Sequence, residues 1–174
     1  MDLTVLNCMK TRRSIRGYRT EQIPDDVLNL IIEAGVYAAS GRGLQSAKLI
    51  VVQDPETRAL LSQLNAEYLK ADFDPFFGAP TIVAVVADKN SSTYIEDGAL
   101  AIGNMMVAAH SFGVGSCWVH RAREVFSDPR GRALLQKWGV SDDYVGIGHC
   151  ALGYAATEPK QAAPRKPENV LWVR

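Results

Sequence analysis

The sequence carries no excess charge of either sign: 19 Lys and Arg balance 19 Asp and Glu over 174 positions. That balance argues against a general nucleic-acid or membrane-surface protein, whose polyanionic target calls for a strong cationic surplus. Long apolar runs are also missing, so no segment is expected to span a bilayer. Met1-Asp2-Leu3-Thr4 lacks the basic start and apolar stretch of a secretory signal. Cysteine is scarce and scattered. Cys8, Cys117 and Cys150 show neither a disulfide framework nor metal-ligand spacing. A reducing cytoplasm is the expected compartment, and small buried hydrophobes are favoured over a catalytic thiol. The three histidines, His110, His120 and His149, are dispersed and have no HExxH or cysteine partners, which excludes a recognisable metal site. His110, on an apolar helical stretch, reads as a satisfied core or interface residue. No GxGxxG follows a strand, no glycine-rich loop leads into Lys-Ser/Thr, and no GxSxG elbow occurs. Glu96 and Asp97 are adjacent, so on a helix they diverge and cannot form an acid/base dyad; a helix-surface or capping role is expected. Repeats, low-complexity tracts and interdomain linkers are absent, so residues 1–174 are expected to form one domain.

What is present starts with Arg12-Arg13-Ser14-Ile15-Arg16, three guanidiniums and a hydroxyl in five positions. Arg165-Lys166 forms a second basic pair near the far end. In a neutral chain such a cluster needs a local explanation. Arginine grips phosphate bidentately, and a serine hydroxyl can add a further bond. The residues alone therefore point to an α/β domain that binds a small phosphorylated ligand.

The elements read as mixed α and β. Asp2 to Lys10 is a short helix with one apolar face. Pro24-Asp25-Asp26 opens a helix, since proline suits the first turn and the carboxylates suit the positive end of the helix dipole. Its expected buried stripe is Val27, Leu30, Ile31, Ala34 and Tyr37 or Ala38, ending in the loop Ala39 to Gly43. Leu49 to Val52 is expected as a buried strand, and Pro55 to Leu64 as a helix capped by Asp54. Thr81 to Ala87 has the continuous apolar pattern of a central strand. Thr93 to Phe112 is a long helix, apolar nearly all round and rich in small residues. A buried core helix and a dimer interface explain it equally well. Ser116 to Val119 reads as a strand, Asp128 to Trp138 as a helix and Tyr144 to Tyr154 as a strand. The proline-rich tail ends in Val170-Leu171-Trp172-Val173, apolar residues that need a surface such as a partner subunit.

Taken in order, these motifs resemble the FMN-dependent nitroreductase family over nearly the whole chain. The carriers are Arg12 to Arg16 with Tyr18, Ala38 to Gln45, Gly78-Ala79-Pro80, and Glu96-Asp97-Gly98 with its alanine-rich helix. They continue with Gly113 to Trp118, Gly148 to Tyr154 and Pro164-Arg165-Lys166-Pro167. The resemblance implies an α+β fold: a central, mostly antiparallel sheet flanked by helices, a long central helix at a dimer interface, and a C-terminal arm reaching the partner. It further implies a cytoplasmic homodimer with FMN at the subunit interface, NADH or NADPH as donor, and ping-pong transfer to a nitroaromatic, quinone or similar acceptor. By position, Arg12, Arg13 and Ser14 would hold the phosphate end, and Arg16 the N1/O2 edge of the ring. Ala39, Ser40, Gly41 and Gln45 would come from the other subunit. Asn65 would bond the ring edge, Val119 and His120 would lie against N5, and Arg165 and Lys166 would close on the phosphate. No side chain need act as acid or base. The loop departs from the family pattern: Gly43 stands for asparagine, Ser46-Ala47 for Pro-Trp, and Arg42 adds a charge. The chain also lacks much of the helical insertion that covers the flavin, which implies a more open site. Two other readings share these residues: a redox-inactive flavin-binding protein, and a phosphate-ligand module without flavin.

Overall fold

The computed structural model describes residues 3–174. In chain order the elements are α1 (Thr4–Thr11), α2 (Asp25–Val36), β1 (Ala47–Val52), α3 (Pro55–Leu69) and β2 (Thr81–Asp88). Then come α4 (Tyr94–Ser111), β3 (Gly115–Val119), α5 (Ala122–Ser127), α6 (Pro129–Lys137) and β4 (Tyr144–Gly153). The four strands form one sheet in the order β1-β2-β4-β3. Every pairing is antiparallel. The α+β class expected from the sequence is the class observed.

β2 is central, and every residue from Thr81 to Ala87 is buried. Its side chains alternate between two cores, as strand geometry requires. Ile82, Ala84 and Val86 meet Leu61 and Leu64 of α3, Phe126 of α5 and Leu135 of α6. Val83 and Val85 meet Ile31 of α2 and Ile102 and Met105 of α4. Each fully buried Ile or Leu in these layers contributes roughly 1.5–3 kcal/mol of transfer free energy.

Several expectations change. β1 forms, but it is an edge strand and only Val52 is buried, because the strand has one neighbour in the sheet. The buried stripe of α2 is Leu28, Ile31 and Gly35; Leu30 and Tyr37, expected inside, are exposed. The helix rolls by one position because Gly35 lets Leu49 and Met105 approach: a Cβ there would lie 2.7 Å from each. α3 runs five residues beyond Leu64, to a left-handed Lys70, with Asp54 accepting from Thr57 N at 2.8 Å as its cap. α5 was not anticipated; six residues are too few to show a period. α1 has no buried residue. Asp2, included in the expected first helix, lies outside the described residues.

α4 is buried on one side only. Asp97, Gly98, Ala101, Ile102, Met105 and Ala109 are covered, whereas Leu100, Asn104 and Ser111 are exposed. Two of the glycines explain how closely it sits on the sheet. A Cβ at Gly98 would meet Ile147 at 2.7 Å, and one at Gly148 would meet Ile102 at 2.8 Å.

Candidate functional site

The basic segment is an extended strap laid across the ends of two strands. Ser14 bridges Ser116 of β3 in parallel, with Ile15 N donating to Ser116 O at 3.0 Å. Tyr18 bridges Ala155, and Arg19 N donates to Tyr154 O at 2.9 Å. Ile15 and Tyr18 point inward and are buried, while Arg13, Ser14 and Arg16 around them face out onto one surface. Arg13, Ser14 and Arg16 line a cleft of about 440 Å³ with Thr157, Glu158, Pro159 and Lys160 of the tail. The Arg13 guanidinium is steadied by Lys10 O at 2.9 Å, and the Arg16 guanidinium lies 6.0 Å above the Phe77 ring.

Arg12 turns the other way. It is half-buried, and one terminal nitrogen of its guanidinium is fully buried with no partner in the chain. The Ser116 hydroxyl is buried and unpartnered too. A buried cationic donor without an acceptor is expensive, so this end of the strap is built for an anion that the chain does not supply. Burial, followed by the Arg12 and Arg13 charges, holds His110 below its ordinary pKa. The His110 ring lies 2.9 Å from Thr11 Oγ1, tying α4 to the end of α1.

At the other end of β3, about 10 Å from Ser116 at ~3.3 Å per residue, Val119 is buried, and His120 just beyond it is exposed. Asn65 does not reach this surface. It is fully buried in α3, and its amide nitrogen donates to His120 O at 2.7 Å. The resemblance implies a ring-edge role for Asn65; in the fold its amide nitrogen supports the His120 peptide, and its buried Oδ1 has no partner among the described residues. His149 lies behind it, 3.5 Å away and fully buried.

Ala39, Ser40 and Gln45 share a second small cleft beside α2, lined also by Val36 and Asp97, while Gly41 of the same loop does not line it. Asp97 orders this loop. It accepts from Gly41 N at 3.0 Å and from Ser46 Oγ at 2.6 Å. Burial pushes its pKa up, but the bonds from Ser46, Gly41 and Thr93 outweigh burial and hold it below the usual carboxylate range. Of the two roles expected for this pair, Asp97, buried, takes the capping one on the neighbouring loop, while Glu96 is exposed on the helix surface. Gly41 must be glycine for room, since a Cβ would lie 2.1 Å from Thr93 Oγ1.

Within one chain the two halves do not meet. Asp97 and His110 lie near opposite ends of α4, about 20 Å apart at ~1.5 Å per residue. Arg165 and Lys166 are exposed and line none of the described clefts; the tail cation at the strap is Lys160. Nothing in Glu158-Pro159-Lys160 marks that lysine as a site residue, because only the path of the tail brings it there. Cys117 and Cys150 are buried, and burial pushes their thiols up, Cys150 to about 12, which suits packing and not nucleophilic work. Among the described residues no group of His, Cys, Asp and Glu could hold a metal. No described helix is long and apolar enough to cross a membrane.

An antiparallel four-stranded sheet between two helical layers, with a basic strap bridging the edge strand, makes this an α+β domain. The sequence model of the nitroreductase family matches residues 9–73 and 64–154. The chain belongs to that family. A relative from Archaeoglobus fulgidus, named NADH dehydrogenase/NAD(P)H nitroreductase, is 31% identical over 161 residues, covering 87% of each chain. A nitroreductase from Bacteroides fragilis, solved with bound FMN, superposes with a TM-score of 0.89 at 32% identity over 98% of both chains. One from Desulfitobacterium hafniense shares the fold at a TM-score of 0.89 and 23% identity, over the full length of both chains.

Proposed function

We propose that this chain is an FMN-dependent oxidoreductase that takes electrons from NADH or NADPH and passes them to a small nitroaromatic or quinone-like acceptor. Donor and acceptor use the same open site in turn, in ping-pong fashion. The observation that carries the reading is the strap: a buried, unpartnered Arg12 donor and a cationic cleft at one end of β3, and the His120 peptide at the other. When bound, FMN supplies the two-electron chemistry that none of these side chains can perform.

The chain's own residues fit that group. Arg12, Arg13 and Ser14, joined by Lys160, would hold the phosphate and the chain next to it, with Arg165 and Lys166 free to close from the tail. Arg16 would set a cation beside the ring, favouring its electron-rich form. Val119 and His120 would offer backbone along the ring, fixed from behind by Asn65. Ala39, Ser40, Gly41 and Gln45 would come from a second copy, because one chain holds them an α4 length away. That second copy supports a homodimer with the site at the interface. It would also cover the open face of α4, the exposed residues Val5, Leu6 and Met9 of α1, and the apolar arm Val170 to Val173.

The test is an absorbance spectrum of the purified protein followed by anaerobic titration with NADH and NADPH. Flavin bands that bleach on titration, with parallel lines in double-reciprocal plots, are the expected result. Arg12→Ala should weaken FMN binding at least about tenfold, the equivalent of ~1.4 kcal/mol. Arg16→Ala protein that keeps FMN should show a lower flavin potential. A colourless protein that cannot be reconstituted, or FMN affinity unchanged in both variants, would defeat the reading.

A further inference from the structure

A cleft of about 580 Å³ begins at His120 and runs over the start of α5. Leu69 and Ile147 form its apolar part, and Arg121, Arg123 and Glu124 its polar part. Three features set it apart from an ordinary charged surface. Arg121 has a φ of 76°, in the left-handed region that non-glycine residues adopt uncommonly. Its carbonyl accepts from Val125 N at 2.8 Å, and its guanidinium is held by Glu124 at 2.9 Å, so backbone and side chain are both fixed. Arg123, two residues on, has no ion-pair or hydrogen-bond partner for its side chain among the described residues. With Arg121 matched by Glu124, Arg123 leaves the lip with a surplus cation.

We propose that this cleft is a phosphate subsite for the pyridine nucleotide, with Arg121 and Arg123 as the recognising side chains. The inference rests on the FMN-dependent reading above. A nucleotide that delivers electrons at the His120 edge must lay its remaining length on the adjoining surface. The cleft offers apolar walls for a ring or ribose and a guanidinium pair for phosphate, the geometry arginine serves best. It is separate from the strap that faces the opposite end of β3. The phosphate can be the pyrophosphate common to both nucleotides or the 2′-phosphate of NADPH alone.

Calorimetric titration of the FMN-loaded protein with adenosine, 5′-ADP and 2′,5′-ADP separates these cases. One or both of the phosphate-bearing probes should bind at least about tenfold tighter than adenosine, with the advantage shrinking at high salt. In the double variant Arg121→Gln/Arg123→Gln they should fall to the adenosine level. A stronger effect of 2′,5′-ADP assigns the 2′-phosphate and predicts an NADPH preference; equal or stronger binding of 5′-ADP assigns the pyrophosphate. No phosphate advantage, or one that survives in the double variant with its circular dichroism intact, overturns the proposal while leaving the flavin reading standing. Protein that takes up no FMN, seen from its visible spectrum before titration, removes the reading and the subsite together.

Discussion

His149 is fully buried between Phe76 and Phe126, and burial lowers its pKa from 6.5 to about 4. The folded chain therefore keeps the ring neutral at pH values where the unfolded chain would protonate it. Stability from this residue is complete above pH 6.5 and is lost as pH falls towards 4, because only the unfolded state takes up the proton in that window. The full loss is on the order of 3 kcal/mol. Denaturant titrations at pH 7 and at pH 4.5 should show the decline, and His149→Leu should remove this part of it. An identical pH slope in wild type and variant would show that other groups govern acid sensitivity. Single residues were unevenly legible. Arg13, Ser14 and Arg16 could be read as one surface, because a basic run in a neutral chain stands out locally. The roles of Asn65, Asp97 and Lys160 could not, because each depends on a partner distant in sequence: His120, Ser46 and the strap.

α5 and α6 meet at Gly131, where the backbone of one helix replaces a side chain of the other. A Cβ at this position would fall 1.9 Å from Val125 O and 2.8 Å from Val125 C. Main-chain atoms cannot step aside as a flexible side chain can. Gly131→Ala should destabilise the protein by about 3 kcal/mol, which for a domain of this size lowers Tm by roughly 6–12 °C. An unchanged melting curve would mean that α6 can move away from α5 without loss. Long elements with a clear period were legible. β2 showed its central place through an unbroken apolar run, and α4 its length through eighteen helical residues without proline. What could not be read was which side each element turns to its neighbours. α2 rolled by one position and β1 fell at the sheet edge, because close approaches such as Leu49 on Gly35 decide those orientations.

Among the described residues, apolar surface is left uncovered on α1, on the open face of α4 and on the arm, as well as at scattered positions elsewhere. Leu171 is 87% exposed and Trp172 71%. Side chains of that size cannot be held in water without loss of the free energy their burial would give. In the proposed homodimer they pack on the second copy. Leu171→Asp/Trp172→Asp should then shift the protein towards monomer in size-exclusion chromatography with light scattering, and lower FMN occupancy with it. A variant that stays dimeric with full flavin content would show that the arm is not part of the interface. Sequence alone was enough for the central strand, the long helix and the basic character of the strap, because those follow from local periodicity and local charge, while the α+β class came through the family resemblance. The folded chain was needed to show that Arg12 turns inward to a buried orphan donor, that Lys160 and not Arg165 faces the cleft, and that the two halves of the site lie at opposite ends of α4. Those are distances between residues far apart in the chain, and only packing sets them.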